Sequence, residues 1–199
     1  MDKIPTKDRI LDSALELFSE KGYDGVGVDL IAERAGIKGP SLYKHFKGKE
    51  DILDALIEKA ENYYQTNFGS VSSPGETPAS MEELIALSLK RIEFTLNDPM
   101  IRKVRRMLTM EQFRSSRIAA LTTKYNIDSV QGIYQQIFRT MMDKGIMRKA
   151  DPALASMTFA APVSLLIQMC DREPQREREA IKRIEEFFRY FAEEYKAEK

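Results

Sequence analysis

The spacing of apolar residues constrains this chain most, because apolar side chains recur every three or four residues along most of its 199 positions. Near the start, Ile10, Ala14, Leu17 and Phe18 follow this spacing. Residues so spaced lie on one side of an α-helix, where they can pack against a core. The alternating pattern that is typical of strands is weak throughout. We therefore predict an all-α protein of about nine helices.

Turn-forming and capping residues divide this pattern into separate helices. Gly22 can end the first helix, since glycine readily takes the positive φ found at many helix C-termini. Ser80 and Glu83 form a capping box, and Asp98 and Asp151 each precede a proline that can start a helix. The predicted helices cover about residues 6–21 (with Thr6 as the cap), 28–35, 40–46 and 49–68, a helix that starts at 80, and then 99–112, 116–144, 152–170 and 175–196.

The clearest loop covers residues 69–79, which are rich in Gly, Pro and Ser. Before it lie three short helices and one long connecting helix, and after it lie five longer helices. We predict a small domain over residues 1–50 and a larger helical domain over residues 51–199.

The second and third predicted helices are joined by Ala35, Gly36 and Ile37, which suits a helix-turn-helix motif. The tight turn needs a glycine, and the apolar residue after it packs between the two helices. In this motif the second helix lies in the major groove of DNA with its first residues at the base edges. Here the residues at that position are Lys38, Gly39, Pro40 and Ser41, which are small or flexible.

The charge around this motif is positive, although the whole chain carries 31 basic and 31 acidic residues. Residues 34–49 include five basic residues and no acidic one. Such a local excess neutralises DNA phosphates. Tyr43, Lys44 and His45 add donors for phosphate oxygens. Lys49 lies at the start of the fourth helix, where free backbone N–H groups also attract an anion.

A different interpretation of the same residues needs no DNA. A pair of basic helices can face solvent, with Tyr43 and Phe46 as core aromatics. We assign Leu42 and Phe46 to the core in both interpretations. The turn and the local charge together favour DNA binding.

The segment ILDSALELFSEKGYDGVGVDLIAERAGIKGPSLYKHFKGKEDIL resembles the N-terminal domain of TetR-type transcriptional repressors. The resemblance covers about Thr6 to Leu56 and depends on LF…KGY, IAERAGI and SLYKHFKGKEDIL at these spacings. It implies a three-helix DNA-binding domain joined to a larger helical domain that binds a ligand and forms a dimer. That plan agrees with the two domains predicted above.

Carried over by position, the resemblance implies two kinds of DNA contact. Contacts to the DNA backbone are implied for Ser41, Tyr43, His45 and Lys49. Contacts at the groove are implied for Lys38, Gly39, Pro40 and Lys44.

The chain departs from the family pattern at several positions. Members often have Thr or Ser where Val26 and Gly27 stand, so a hydroxyl cap of the second helix and a possible phosphate contact are lost. A small polar residue is common where Lys38 stands. Asp29 lies where some members place a base-reading residue. We interpret it as a helix-start carboxylate, and the alternative is a contact to the amino group of cytosine.

The larger domain is rich in large, soft side chains and contains no recognisable motif. Such residues can line an adaptable apolar pocket, since Met repacks easily, and the alternative is an ordinary core. The resemblance implies a pocket for a small-molecule effector without saying which residues form it. To this pocket we assign Met107, Met110, Phe113, Tyr134, Phe138, Met141 and Phe159.

A basic cluster lies within the predicted helix 99–112. We interpret it as a solvated helix face. The alternatives are contact with an anionic group of a ligand and packing against the DNA-binding unit. Its members are Arg102, Lys103, Arg105 and Arg106.

The last two predicted helices carry apolar stripes that suit an interface between two subunits, and the alternative is packing within one chain. The resemblance implies a four-helix interface with two helices from each subunit. A dimer also matches the symmetry of a palindromic operator. To this interface we assign Leu165, Ile184, Phe188 and Phe191; Leu154, Met157 and Ala161 lie on the same stripe as Leu165.

The sequence offers no arrangement that indicates catalysis. Ser41 and Lys44 match the S-x-x-K pattern of penicillin-recognising enzymes, but its companion elements S-D-N and K-T-G are missing. One histidine and one cysteine argue against a zinc site of the usual ligand type. We therefore expect no catalytic residues, no metal and no cofactor.

The N-terminal residues are polar and no apolar run approaches the roughly 20 residues of a membrane span. A single cysteine suits a reducing compartment. We therefore expect a bacterial cytoplasmic protein without a membrane partner.

These observations predict a ligand-responsive transcriptional regulator. We expect a repressor that binds a palindromic double-stranded DNA operator as a homodimer and is released by a small, largely apolar effector. The alternative is a helical small-molecule-binding or adaptor protein in which the helix-turn-helix is only structural.

Overall fold

The computed structural model describes residues 4–69 and 77–197, and within these ranges it is built from α-helices without a strand. The predicted all-α class is therefore confirmed. The helices α7 and α8 are joined by a π-helical segment, Lys124–Asp128, into one continuous helix, so nine separate helices remain in the described ranges. The bounds are α1 Thr6–Lys21, α2 Val28–Arg34, α3 Gly39–Leu42, α4 Lys49–Phe68, α5 Met81–Asn97, α6 Pro99–Glu111, α7 Ser116–Thr123, α8 Ser129–Asp143, α9 Pro152–Arg172 and α10 Glu177–Tyr195.

Two of the predicted helix starts are confirmed by their hydrogen bonds. The Ser80 hydroxyl accepts a bond from the Glu83 N–H at 3.1 Å, and the Glu83 carboxylate accepts one from the Ala79 N–H at 2.8 Å. The Asp151 carboxylate accepts a bond from the Ala153 N–H at 2.8 Å at the start of α9. These side chains satisfy N–H groups that the first turn of a helix leaves without partners.

Other boundary predictions were wrong or cannot be followed. Thr6 does not cap α1, because it is already the first helical residue and Pro5 precedes it. The third helix ends at Leu42 rather than near Phe46, because the chain turns after one helical turn. Of the predicted loop, residues 70–76 lie outside the described part of the chain.

The described chain divides into two compact units. Unit one comprises Met1–Thr66 and Pro99–Thr122, and unit two comprises Asn67–Asp98 and Thr123–Lys199. Unit one therefore contains α6 and most of α7 besides the first helices. The functional boundary at residue 50 stays a prediction.

Unit one has a core in which α1 is central. Its side chains Ile10 and Phe18 are completely buried, as are Ile31 of α2 and Leu42 of α3. Burial of an aliphatic or aromatic side chain of this size contributes roughly 1.5–3 kcal/mol. These three helices are thus held together by shared apolar contacts.

The helix α6 packs against α1 within unit one. An ion pair joins Lys103 of α6 to Glu16 of α1, and another joins Arg117 of α7 to Asp54 of α4. The basic cluster is therefore not only a solvated face, since Lys103 binds an N-terminal helix and Arg105 is buried. This matches the alternative in which the cluster packs against the predicted DNA-binding unit.

Unit two has an aromatic core formed by α8, α9 and α10. The rings of Phe159 and Phe188 stack with centroids 4.4 Å apart, and Phe138 and Phe191 stack at 5.5 Å. Phe159 also meets Tyr134 at 4.8 Å. Such pairs add to the free energy gained from burial alone.

Within residues 4–69 and 77–197, α9 is the only helix that is long and apolar enough to cross a membrane. The prediction that no run approaches this length was wrong, because residues 152–170 contain no charged residue. Length and composition are weak evidence here, since a core helix passes the same test. One side of α9 supplies Ala155, Phe159 and Val163 to the core of unit two.

Gly22 ends α1 in the left-handed region, as predicted, with φ +78°. Its N–H donates to the carbonyl of Phe18 at 3.0 Å. The buried carboxylate of Glu111 lies against it, so a Cβ at this position would overlap Oε1 of that carboxylate. Glycine is therefore required both by the backbone and by its neighbour.

We expect Gly22→Ala to lower the free energy of unfolding more than Gly36→Ala does. An L-residue costs roughly 1–2 kcal/mol at the positive φ of Gly36, 65°. The cost is higher at Gly22, where φ 78° is combined with ψ 161°, a region essentially restricted to glycine. A Cβ on Gly36 would meet nothing within 4 Å, whereas one on Gly22 would overlap Glu111. Chemical denaturation of both variants measures the difference. Adding Glu111→Ala to Gly22→Ala should recover the part of the excess that comes from the overlap, and equal losses in the two single variants would contradict this account.

Candidate nucleic-acid interface

The turn between α2 and α3 has the geometry of a glycine-terminated helix end. Gly36 has φ +65°, and its N–H donates to the carbonyl of Glu33 at 3.0 Å. The N–H of Ile37 donates to the carbonyl of Ala32, also at 3.0 Å. This pair of bonds is the Schellman motif, which satisfies carbonyls at the end of α2. The chain then reverses into α3, as the predicted helix-turn-helix requires.

A side chain from α1 holds this turn in place. The Arg9 guanidinium donates from Nη2 to the carbonyl of Ala35 at 2.8 Å. A cation at the C-terminal end of α2 also stabilises the helix dipole. The role of Arg9 is not visible in the sequence, because Arg9 and Ala35 are 26 positions apart and only the folded chain brings them together.

The start of α2 matches the expected departure from the family pattern. Gly27 occupies the N-cap position with extended backbone, and the cap has no side-chain hydrogen bond. Val26, which precedes it, is buried. The position thus contributes packing in place of a hydroxyl cap.

The side chains in and around the recognition helix α3 form one buried set and one exposed set. Leu42 and Phe46 are buried, as predicted. Tyr43 is 58% exposed, so the interpretation in which it is a core aromatic is wrong. The other exposed side chains around α3 are Lys38, Pro40, Lys44 and His45, while Gly39 and Ser41 are half-buried.

Lys49 is the first residue of α4, and Tyr23 holds its side chain. The ammonium donates to the carbonyl of Tyr23 at 3.0 Å and lies 4.3 Å from the centre of the Tyr23 ring. Burial, and then the charge of Glu50, raise the pKa of Tyr23 above its ordinary value. Lys49 is thus preorganised at the N-terminus of α4, with Tyr23 as a support that the sequence did not reveal.

The predicted DNA-contact residues all lie in unit one, and most of them are exposed on its α3 side. Asp29 of α2 lies beside them, with its Oδ1 3.5 Å from the point where a Cβ on Gly39 would stand. The surface therefore combines several cations with one carboxylate at the start of α3. Cations of this kind can bind phosphates, and the exposed first residues of α3 can approach a groove.

The seven residues assigned to a ligand pocket do not come together in one unit. Tyr134, Phe138, Met141 and Phe159 belong to the core of unit two. Met107, Met110 and Phe113 belong to unit one, where Phe113 is 92% exposed. Phe113 follows the end of α6 and is too exposed to line an enclosed cavity of unit one. The other assignments stay predictions.

The interface assignment was wrong for three of its four residues. Ile184, Phe188 and Phe191 are each 1% exposed, because α10 directs them into the core of unit two. A side chain that is buried in its own chain cannot also contact a second subunit. Leu165 is 67% exposed and remains available for such a contact.

No group of three or more potential metal ligands is found in the described ranges. The single cysteine, Cys170, is buried.

The candidate site is the exposed surface of α2 and α3, a helix-turn-helix with a basic outer side. A helix-turn-helix of this kind is typical of DNA-binding proteins.

Comparison with known proteins agrees with this class. Residues 10–56 match the family described as "Bacterial regulatory proteins, tetR family". The match covers most of α1, all of α2 and α3 and the start of α4, so this segment of the chain is similar to regulators of that family. The predicted resemblance is thereby confirmed over nearly the same residues.

Individual relatives resemble the chain over different lengths. The biofilm operon negative transcriptional regulator IcaR of Staphylococcus epidermidis is 48% identical over 58 residues, which are 29% of this chain and 31% of IcaR. The probable HTH-type transcriptional regulator YttP of Bacillus subtilis is 25% identical over 87% of this chain and 80% of its own. The chain thus spans less than a third of the length of IcaR.

A solved structure shows the same fold. SmeT in complex with triclosan superposes with a TM-score of 0.73 at 24% identity, covering 97% of this chain and 92% of SmeT. SmeT is the repressor of the Stenotrophomonas maltophilia multidrug efflux pump SmeDEF. At this identity the likeness concerns the fold.

We expect Arg9→Met to destabilise unit one, because the carbonyl of Ala35 loses a charged donor. Hydrogen bonds to charged groups contribute roughly 1.5–3 kcal/mol, and the unfolding free energy should fall by about that amount. Arg34→Met is the control, since Arg34 is exposed on α2, the helix whose end Arg9 contacts, and should change stability by less than about 0.5 kcal/mol. Urea denaturation followed by circular dichroism measures both. Similar values for the two variants would show that the Arg9 bond does not hold the turn.

Proposed function

We propose that this regulator represses transcription by binding a palindromic operator as a homodimer, and that a small, largely apolar effector releases it. The observation that carries the DNA-binding part is the exposed basic surface around α3. Its side chains face solvent although the helix itself is held firmly by Leu42 and Phe46. A rigid element with free donors is what recognition of a DNA groove needs.

The contacts divide by the kind of DNA group that they reach. Ser41, Tyr43, His45 and Lys49 bind phosphates, and Tyr23 restricts Lys49 to one place at the helix start. The groove side consists of Lys38, Gly39, Pro40 and Lys44.

The proposed dimer face lies on the outer side of α9. Leu154 and Met157 are 64% and 55% exposed, and Leu165 continues the same stripe. Ala161 between them is also exposed. On α10, Tyr190 is exposed as well. Large apolar side chains in one row are unfavourable in water and suit an isologous contact with a second copy.

The effector site is proposed for unit two, whose core contains the Tyr134 hydroxyl bonded to Ser88 at 3.0 Å. A few polar groups among many apolar ones are typical of small-molecule sites. The triclosan complex of SmeT supports an effector of largely apolar character. The negative regulation in the names of IcaR and SmeT supports repression.

Release by the effector requires a coupling free energy between its site and the operator. A 100-fold loss of DNA affinity corresponds to about 2.7 kcal/mol. By linkage, operator DNA must lower effector affinity by the same factor.

We expect the full chain to bind a palindromic duplex with an affinity that falls steeply with salt. Each phosphate contact contributes about −0.9 to the slope of log K against log salt. Tyr43→Phe should weaken binding without changing this slope. Lys47→Ala should make the slope less steep, because Lys47 is an exposed cation between α3 and α4. Fluorescence titrations at several salt concentrations give the slopes. Lys90→Ala is the matched control, because Lys90 is exposed on α5 of unit two. An affinity that does not change with salt concentration would contradict DNA binding through this surface.

We expect the double variant Met157→Glu/Leu165→Glu to be monomeric with unchanged helical content. Two charges in an apolar contact would be buried without partners, which is strongly unfavourable. Operator affinity should fall when dimerisation is lost, since the two half-sites are then bound by separate molecules. Sedimentation velocity measures the assembly. Phe113→Glu is the control, because Phe113 is an exposed aromatic residue of unit one, and it should leave the dimer unchanged. A dimer that persists in the double variant would place the interface elsewhere.

A further inference from the structure

Asp29 is an exception within the basic surface. Between Val26 and Lys49 the chain has only two acidic residues, Asp29 and Glu33, and both are exposed on α2. Asp29 is the second residue of α2, whereas Glu33 lies near its C-terminal end. A carboxylate on a surface that binds phosphates raises the electrostatic cost of approach.

The structure places the Asp29 carboxylate at the first residue of the recognition helix. Its Oδ1 is 3.5 Å from the point where a Cβ on Gly39 would stand, which is ordinary van der Waals distance. Among the residues of α2, the turn and α3 that the structure describes, none forms a hydrogen bond or an ion pair with this carboxylate. Both of its oxygens are therefore available to a group that approaches Gly39.

A position in the first turn of α2 has a simple structural benefit. The carboxylate interacts favourably with the N-terminal end of the helix dipole, by roughly a few tenths of a kcal/mol at an exposed site. This benefit does not depend on Gly39 or on DNA, so it predicts no base preference. The proximity of the Asp29 carboxylate to Gly39 predicts a preference for one base.

Only some groups in the major groove can meet a carboxylate. Phosphates, guanine O6 and N7, and thymine O4 are acceptors and repel it. Adenine offers its N6 amino group beside the acceptor N7, whereas cytosine offers its N4 amino group without an adjacent acceptor. Cytosine is therefore the base that an aspartate at this place selects.

We propose that Asp29 is a specificity-determining residue that accepts a hydrogen bond from the N4 amino group of one cytosine in each operator half-site. This inference rests on the proposed function, in which the start of α3 lies in the major groove. It assigns the preference for that base pair to α2, while the cations around α3 supply affinity for the phosphates.

The experiment is a selection of duplexes from a random library by the full-length chain, with wild type, Asp29→Ala, Asp29→Asn and the control Glu33→Gln in parallel. Wild type should select one strongly preferred cytosine, repeated symmetrically in the two half-sites. In Asp29→Ala the discrimination at this base should fall by roughly 5- to 100-fold. In Asp29→Asn adenine should gain, because an asparagine amide can bond to both N6 and N7 of adenine.

The control separates base recognition from charge. Asp29→Ala and Glu33→Gln each remove one negative charge, so both should bind non-specific DNA slightly more tightly. Only the Asp29 variants should change the preferred sequence. Titrations on the selected duplex, with its cytosine-guanine pair kept or replaced by thymine-adenine, should show a large effect in wild type and little in Asp29→Ala.

The outcomes are distinguishable. If the Asp29 variants select the same cytosine as wild type, or if wild type selects no cytosine, Asp29 is only a helix-start carboxylate and the inference is wrong. If wild type selects no sequence at all, the proposed function fails as well. Circular dichroism of each variant shows that the fold is retained, which the exposed position of Asp29 leads us to expect.

Discussion

The recognition helix α3 is too short to be stable by itself, and the rest of the DNA-binding surface depends on how it is held. It has four residues, Gly39–Leu42, whereas an isolated helix needs about 12–15 residues to persist in water. Its stability comes from Leu42 and Phe46 in the core and from the turn at Gly36. The exposed side chains keep their positions because the buried ones are fixed.

Supporting contacts hold the elements that precede and follow this short helix. Arg9 of α1 holds the end of α2, and Tyr23 holds Lys49 at the start of α4. Each contact joins residues 26 positions apart. Preorganised contact residues lose less conformational entropy on binding, which favours affinity. The same rigidity places Asp29 beside Gly39 and so makes a base preference from α2 physically reasonable.

The two sides of α9 show how one apolar helix can serve two purposes. Phe159 and Val163 pack into unit two, and Leu154, Met157 and Leu165 remain exposed. The neighbouring helix α10 uses its phenylalanines inside the chain, so its apolar stripe is not evidence for a subunit contact. Burial within one chain and burial between two chains use the same residue types, and only packing distinguishes them.

The sequence by itself determined the helical class, the helix-turn-helix and the basic surface. Local rules suffice there, because the spacing of Ile10, Ala14 and Phe18, the glycine at position 36 and the charges of residues 34–49 act over a few residues. Tertiary structure alone decided that Phe188 is core rather than interface, that Phe113 is exposed, and that Arg9 and Tyr23 support the site. It also decided that residues 99–122 form a compact unit with the first helices. These properties depend on contacts between residues far apart in the chain, and an amphipathic pattern shows that a helix has an apolar face without showing what covers it.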